Sequence, residues 1–374
     1  MDFNHTEERR MLKDSLARFL EANYSHEQRI KIVDAGKDGS PEVWKSFAEL
    51  GVIGALFSEE QGGFGGGGFD IAVIFEELGR VASVEPLLQS ALLGGRLLSE
   101  LGTPEQKGMI EQIIGGELKV AFAHTEANNR YELDYVDTKV EAAGSGFVLN
   151  GEKVVVISGG SADKLIVSAD AGGKLGLFIV DGNAKGVTRY SHENFDGVQA
   201  AEIKLSNVEV PAENVLGAVG SVLPAIETAV AAGVVALCAE ALGAMEAAQA
   251  LTTEYVRTRV QFGRAIGKFQ ALQHRLATVL VEIEQVRSAV INAAGNLEKE
   301  VAIRERNVSA GKCLVGQISK LVREEAIQMH GGIGMTEEYA LSHFAKRLTL
   351  IDRQLGDADY HLERITSMIQ AEVA

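Results

Sequence analysis

One segment of this chain carries more polar chemistry than a packed helix requires. Arg259 precedes an aromatic-glycine turn, and an amphipathic helix carrying Gln270 and Gln273 follows it in the sequence RVQFGRAIGKFQALQHRLA. A guanidinium pairs with phosphate oxygens, and side-chain amides hydrogen-bond other amides or hydroxyls. Core packing needs only apolar periodicity, so these polar groups indicate that the segment binds a ligand.

A glycine-rich stretch earlier in the chain matches a dinucleotide-binding pattern by its letters alone. The stretch from Gly63 to Gly68 fits G-x-G-x-x-G, which can place a pyrophosphate on a helix N-terminus. Here it follows a helical pattern rather than a buried strand, and no βαβ unit surrounds it. We therefore interpret it as a flexible loop between helices.

Composition restricts the class of protein. The 374 residues, of which 46% are hydrophobic, are enough for two or three domains with substantial cores. A formal net charge of -16 argues against a nucleic-acid groove and against an anionic membrane surface. The N-terminus is charged and amphipathic rather than a signal peptide, and we expect no membrane span of roughly 20 apolar residues. These features predict a soluble cytoplasmic protein.

Cysteine and acidic residues give no metal-binding pattern. Cys238 and Cys313 lie in apolar helical surroundings without ligand spacing, which predicts two buried, unpaired thiols. Asp357, Asp359 and His361 lie close together in sequence but lack the further ligands of a metal centre. The sequence predicts no metal site.

The periodicity of apolar residues divides the chain into three regions. Residues 1–118 have a helical pattern, residues 119–218 alternate with a period of two, and residues 219–374 return to long Ala-rich helical runs. The predicted fold class is α+β, mostly α: an N-terminal all-α domain, a middle β domain and a C-terminal helical bundle. Within the β domain, the Leu149-Asn150-Gly151 step predicts a hairpin turn.

The order of these regions and the Arg259 segment resemble the acyl-CoA dehydrogenase family over essentially the whole chain. Further similarities are FEELGR (Phe75 to Arg80), AHTE (Ala123 to Glu126), NGEK (Asn150 to Lys153) and QMHGGIGM (Gln328 to Met335). The resemblance implies a helical domain, a barrel-like β domain and a C-terminal four-helix bundle that together enclose FAD.

The resemblance also implies which residues contact FAD. In this family the R-x-x-F-G turn and the helix after it contact the pyrophosphate and adenosine of an FAD bound by a neighbouring subunit. Glycines without side chains let backbone amides approach a dinucleotide. The residues matched to FAD contacts are Arg259, Phe262, Gln270, Gln273, Gln328, Gly331 and Gly332, with Thr125 from the β domain.

The family's reaction removes two hydrogens from an acyl-CoA thioester, with a carboxylate as the base for the α proton. The matched base positions are Leu355 and, for members with the base on another helix, Gly233; neither residue can accept a proton. Asp357 and Glu240 are the candidate replacements, with Glu227 as a third. The alternative roles are a solvated turn or a local cap for Asp357, and a buried pair or an interface hydrogen bond for Glu240.

The β domain also differs from the family pattern. Family members continue the threonine-glutamate step with a proline and a small-residue loop, where this chain has Ala127 to Tyr131. They place a tryptophan and a hydroxyl residue beside the flavin ring, where this chain has Val155 and Ile157. These changes remove contacts to the ring, whereas the contacts to the distal end of FAD are retained.

These differences lead to one hypothesis and two alternatives. The chain resembles the small, non-catalytic subunits of heteromeric α2β2 acyl-CoA dehydrogenases, such as the pimeloyl-CoA dehydrogenase small subunit, and would hold the distal end of a partner's FAD. The alternatives are a self-sufficient homotetramer with Asp357 or Glu240 as base, and a non-enzymatic scaffold. The resemblance implies an acyl-CoA substrate and electron-transfer flavoprotein as acceptor.

Overall fold

Six α-helices precede the sheet in the computed structural model, which describes residues 5–373. Side-chain caps begin several of them: Ser40 accepts from the Val43 amide at 3.3 Å, and Thr103 accepts from the Gln106 amide at 3.3 Å. These helices are α1 (Glu7–Asn23), α2 (His26–Asp34), α3 (Pro41–Glu49), α4 (Gly68–Arg80), α5 (Gly95–Leu101) and α6 (Pro104–Ile114), with 3-10 turns at Gly54–Leu56 and Glu59–Gln61 and a π-helix at Leu88–Gly94.

The middle region forms one sheet. Its strands are β1 (Val120–Ala123), β2 (Lys139–Ala143), β3 (Gly146–Ile157), β4 (Lys164–Asp170), β5 (Leu175–Asp181), β6 (Val187–Glu193), β7 (Gln199–Pro211) and β8 (Val215–Leu216), with a 3-10 turn at Ala212–Asn214. The order is β6-β7-β3-β2-β4-β5-β8, and β1 pairs with β4 in parallel. Most other pairs are antiparallel, and their inward side chains form an apolar core that includes Leu149, Leu165 and Phe178.

One detail of this sheet differs from the sequence-based expectation. The predicted hairpin turn at Asn150-Gly151 is wrong, because β3 runs through both residues and the β2–β3 turn lies at Gly144. Instead, the register of β3 against β7 shifts between Leu149 and Gly151, and a Cβ on Gly151 would collide with Thr138. The glycine therefore permits a close approach at a bulge.

Helices dominate the C-terminal region, as expected. Its elements are α7 (Leu223–Thr258), the short strands β9 (Val260–Gln261) and β10 (Arg264–Ala265), α8 (Gln270–Asn296), α9 (Val301–His330), α10 (Ala340–Arg353) and α11 (Ala358–Val373), with 3-10 turns at Ile266–Lys268 and Gly331–Met335. Cys238 and Cys313 are free thiols and both are buried, as predicted.

The apolar composition of α7 corrects the expectation that no segment is long and apolar enough to span a membrane. The helix meets both conditions. In the structure, 94% of its most apolar window is buried inside the protein. The apolar length of α7 is therefore that of a core helix.

The described residues form two compact units. Unit 1 combines residues 5–28 and 67–83 with residues 234–373, and unit 2 combines residues 29–66 with residues 84–233. The N-terminal helical region is thus divided between them. In unit 2, a Cβ on Gly63 would collide with the carbonyl oxygens of Gly54 and Phe57, so this part of the glycine-rich loop is closely packed.

Within unit 1, the FEELGR segment joins α4 to its neighbours. A Cβ on Gly79 would overlap the Glu240 carbonyl on α7, and a Cβ on Gly243 would overlap the Glu76 carbonyl on α4, so the two helices cross in backbone contact. Glu76 accepts from Lys13 of α1 at 3.1 Å and from Arg80 at 2.8 Å. The glycine and the charges of this segment therefore serve packing.

Candidate functional site

The hairpin that follows α7 presents an exposed phenylalanine. Its two-residue loop is Phe262-Gly263, and both residues have positive φ, 52° and 77°. Such loops favour Asn-Gly, because a side chain like that of phenylalanine is disfavoured in the left-handed region. Phe262 is nevertheless 89% exposed, and it meets the Phe269 ring edge-on at a centroid distance of 6.1 Å. Local folding does not account for this residue, which makes it a candidate ligand contact.

Arg259 and the start of α8 flank this hairpin. The Arg259 side chain is exposed, and its carbonyl accepts from the Ile266 amide at 2.9 Å, which closes the hairpin. Gln270, the first residue of α8, is exposed as well, and Phe269 before it provides no side-chain cap. An N-terminus without a side-chain cap offers amides and a partial positive charge to an anion.

Two other polar residues here serve the local fold. The Gln273 amide donates to the Gly267 carbonyl at 2.9 Å, so this predicted contact holds the turn before α8. The Arg264 guanidinium lies 4.2 Å from the centroid of the Phe269 ring, a cation–π contact.

The end of α9 lies beside the end of α7. Tyr255 of α7 stacks on His330 of α9 with a centroid distance of 4.4 Å. Gly331 follows with φ +67°, and a Cβ on Gly331 or on Gly332 would meet no atom within 4 Å. Packing therefore does not require a glycine at position 332, and the pair leaves open space next to the exposed Gln328.

These residues form one surface of unit 1. It combines a guanidinium, a helix N-terminus without a side-chain cap, an exposed aromatic ring and two open glycines, a donor set that suits a diphosphate joined to an aromatic base. We name it the grip surface, and it consists of Arg259, Phe262, Gln270, Gln328, Gly331 and Gly332.

The matched base position lies on a tightly held turn. Leu355 has φ +55° and Gly356 has φ +105°. The buried Lys312 ammonium donates to the carbonyls of Ile351, Asp352 and Gly356 at 2.8, 3.0 and 2.7 Å. His361 Nε2 donates to the Leu355 carbonyl at 3.0 Å. We call residues 354–357 the Leu355 turn; its backbone is fixed, and it offers a leucine where a base would stand.

The first candidate base, Asp357, caps α11. Its carboxylate accepts from the Tyr360 amide at 2.9 Å and from Arg353 Nη1 at 3.0 Å, and the residue is only 3% exposed. Of the two alternative roles that the sequence left open, a solvated turn and a local cap, the structure shows the cap. Proton abstraction by Asp357 would require it to leave both partners.

The second candidate base, Glu240, is held in a buried ion pair. Its two oxygens accept from Arg347 Nε at 2.5 Å and Arg347 Nη2 at 2.7 Å. Both residues are about 95% buried, at 4% and 5% exposure. A bidentate pair of this kind fixes the position of the carboxylate. The other matched position, Gly233, lies buried on α7, and Glu227 is half-buried near the start of that helix.

In unit 2, Thr125 lies two residues after the end of β1. Its side chain is exposed, and its carbonyl accepts from the Val154 amide at 2.8 Å. Lys153 is fully buried and donates to Glu126 at 2.6 Å and to Ser168 at 3.1 Å. Burial lowers the pKa of Lys153 to about 8. Burial would raise the pKa of Glu126, but Lys153 and hydrogen bonds from Thr138 and the Asp137 amide outweigh it and lower that pKa.

The residues that replace the family's ring contacts lie at a bulge. Val155 has φ +49° and is 50% exposed, where the pairing of β3 with β7 shifts register. A β-branched residue in the left-handed region costs about 1–3 kcal/mol. The backbone bulge is therefore present although neither Val155 nor Ile157 offers a side-chain hydrogen-bond donor.

Sequence reasoning missed several partners of the candidate residues. It named Glu126 and Lys153 within motifs without pairing them, and it gave Lys312 and Arg347 no role. The only available signal was a charged residue inside an apolar helical stretch, which predicts a buried pair but not the partner.

Comparison with known proteins gives the family. The N-terminal, middle and C-terminal domain models of acyl-CoA dehydrogenases match residues 6–117, 121–208 and 223–369. The short-chain specific acyl-CoA dehydrogenase of Megasphaera elsdenii is 31% identical and covers 80% of this chain and 82% of its own. Subunit CarC of the caffeyl-CoA reductase-Etf complex of Acetobacterium woodii is 28% identical, covering 89% and 90%.

A solved structure agrees over the same length. A chain of a variant of the Tcur3481-Tcur3483 steroid ACAD superposes with a TM-score of 0.89 at 27% identity, covering 98% of this chain and 99% of that one. The family models, the relatives and the helical, β and helical order of the fold agree throughout. The chain belongs to the acyl-CoA dehydrogenase family.

Proposed function

We propose that this chain is the cofactor-gripping subunit of a heteromeric acyl-CoA dehydrogenase. The complex catalyses the FAD-dependent α,β-dehydrogenation of an acyl-CoA thioester to the 2-enoyl-CoA. The chain holds the pyrophosphate and adenosine end of an FAD whose isoalloxazine ring lies in the partner subunit. The partner supplies the base.

The contrast between the grip surface and the Leu355 turn carries this proposal. Arg259, Gln270 and Gln328 have exposed side chains, whereas Asp357 and Glu240 are both buried in contacts with arginines. A chain that catalysed the reaction alone would need an available carboxylate. A chain that only supported a partner's shape would have no need for an exposed phenylalanine in a strained turn.

The residues of the grip surface fit FAD. Arg259 would neutralise pyrophosphate charge, the amides at the start of α8 would donate to the same anion, and the open space at Gly331 and Gly332 would allow a backbone approach. Phe262 offers an apolar face to the adenosine part. When bound, FAD supplies the hydride acceptor, and this chain's residues fix its distal end.

The names of two similar proteins support the choice of partners. The Tcur3481-Tcur3483 structure is described by two chain names, which favours a heteromer over a homotetramer. CarC is named as a subunit of a complex with Etf, which favours an electron-transfer flavoprotein as the acceptor. We therefore expect a second acyl-CoA dehydrogenase chain and an electron-transfer flavoprotein as partners.

The FAD count per chain tests the assembly. We expect the chain purified alone to hold little FAD, and the complex purified from the native host to contain a second acyl-CoA dehydrogenase chain. If the chain alone carries one FAD per subunit and an acyl-CoA bleaches that flavin, the proposal is wrong.

An alanine substitution separates the proposal from a scaffold role. Arg259→Ala should lower the FAD content of the complex at least tenfold, because a charge-assisted contact to pyrophosphate is lost. Arg18→Ala, which removes another exposed arginine far away in sequence, is the control and should keep full FAD content. Equal FAD content in both variants would favour the scaffold.

The homotetrameric alternative has its own test. Asp357→Asn and Glu240→Gln keep the size of each side chain but remove the candidate base. Acyl-CoA-dependent flavin bleaching that is lost in a variant that keeps wild-type stability would identify that residue as the base and contradict the proposal. Unchanged bleaching in both variants would remove both candidates.

A further inference from the structure

Lys312 is the most deeply buried cation in the helices around the Leu355 turn. It lies on α9 with no exposed surface, and its three donor bonds all go to backbone carbonyls. Two of these carbonyls belong to the last turn of α10, and the third belongs to Gly356. One ammonium group thus ties the end of α10 to the turn beyond it.

His361 supports the same turn from α11. It is 1% exposed, its Nε2 donates to the Leu355 carbonyl, and its Nδ1 has no hydrogen-bond partner among the described residues. A Cβ on Gly356 would lie in the space of the His361 ring. The glycine is therefore required by this packing as well as by its φ of +105°.

We propose that Lys312 is the positioning residue of the Leu355 turn, and that its charge state controls how firmly the turn is held. The ammonium form has three N–H groups for three carbonyls. The neutral amine has two, so one carbonyl loses its donor when the proton leaves. The turn then loosens without unfolding of the surrounding helices.

Among Lys312, Cys238 and His361, only Lys312 has a pKa close to neutral pH. Burial lowers the pKa of Lys312 to about 8; Asp352 and Asp357 oppose this shift, and Arg353 adds to it. Burial also raises the pKa of the facing Cys238 thiol on α7 to about 12 and lowers the pKa of His361 to about 3. Cys238 and His361 therefore both stay neutral between pH 7 and pH 9.5.

Hydrogen exchange of the full-length chain tests this proposal. Two amides report on the turn: Ala358, which donates to Asp352 at 3.3 Å, and Tyr360, which donates to Asp357. After correction for intrinsic exchange, we expect their protection to fall about five- to tenfold from pH 7 to pH 9.5. The Gln106 amide, capped by Thr103, is the internal control and should not change. Because the readout is local exchange, it is independent of whether the chain holds FAD.

Substitutions of two neighbours of Lys312 should shift, in opposite directions, the pH at which half of the protection of these amides is lost. This pH is called the midpoint. Asp352→Asn removes a nearby negative charge and should move the midpoint to lower pH, whereas Arg353→Gln removes a nearby positive charge and should move it to higher pH. Lys312→Met should give low protection at every pH. The proposal is wrong if wild-type protection does not depend on pH, or if both midpoints stay in place.

Discussion

At the end of α7, Arg259 and Phe262 extend into solvent from a hairpin. At the end of α10, by contrast, the polar groups around Leu355 are used within the chain: backbone carbonyls accept from Lys312, and the Asp357 carboxylate accepts from Arg353. Both regions contain a non-glycine residue with positive φ. The difference lies in where the polar groups point. Polar groups that the fold does not use are available to a ligand, whereas groups that hold a turn or a helix end belong to the fold.

The largest expected effect comes from breaking the buried ion pair between Glu240 and Arg347 of α10. Glu240→Ala leaves the Arg347 guanidinium buried without its carboxylate and should lower the free energy of unfolding by about 3–5 kcal/mol. Urea denaturation measures it. The double variant Glu240→Leu with Arg347→Met should recover much of this loss. A loss below about 1 kcal/mol in the single variant would mean that Glu240 is not structural.

A smaller effect should follow from acid. His361 is neutral in the folded chain because burial lowers its pKa to about 3. In the unfolded chain its pKa returns to the ordinary value of 6.5, so it takes up a proton as the pH falls below that value. Stability is therefore lost as pH falls, by about 2 kcal/mol between pH 6.5 and pH 5. His361→Gln should remove this part of the pH dependence. An unchanged slope of unfolding free energy against pH in the variant would assign the effect to other groups.

At the grip surface, a substitution should stabilise the fold while weakening cofactor binding. Phe262→Asn creates the Asn-Gly loop that the hairpin backbone prefers and should raise the free energy of unfolding by about 1 kcal/mol. The same variant should lower the FAD content of the complex. If stability falls instead, the contact with Phe269 has a structural role and the contrast between the two regions is weaker.

The smallest expected effect is that of Arg259→Ala on stability. An exposed arginine outside any buried network changes the free energy of unfolding by less than about 0.5 kcal/mol. The same variant is expected to reduce the FAD content of the complex strongly. Thermal unfolding of the chain should therefore show almost no change, whereas cofactor analysis of the complex should show a large loss. A stability loss above about 1 kcal/mol would place Arg259 with the structural charges of the Leu355 turn.

The fold could be predicted where burial imposes a period. The strands from β1 to β5 and β7 alternate or are fully apolar, and the sequence shows them. The sequence pattern does not show β6, because this edge strand is mostly exposed and its residues, VTRYSHE, have no alternation. The Asn150-Gly151 pair was misread because the same glycine preference serves a bulge and a hairpin turn.

The candidate site could be predicted only as residue types. The sequence identified Asp357 and Glu240 as unusual carboxylates, and it left a cap and a buried pair among several alternative roles, beside a solvated turn and an interface hydrogen bond. It could not name Arg353 or Arg347 as partners, because those contacts depend on how helices pack. For the grip surface, the exposure of Phe262 and the open space at Gly332 also came only from the structure.

The crossing of α4 and α7 at Gly79 and Gly243 sets an order for synthesis. Unit 2 has all its residues once position 233 has been added, but α4 meets α7 only after the whole sheet has been made. At ordinary rates of translation the face of α4 that packs on α7 stays uncovered for roughly ten seconds or more. A helix that leaves the ribosome early is therefore among the last to be fully buried, and its uncovered face is a natural target of a chaperone.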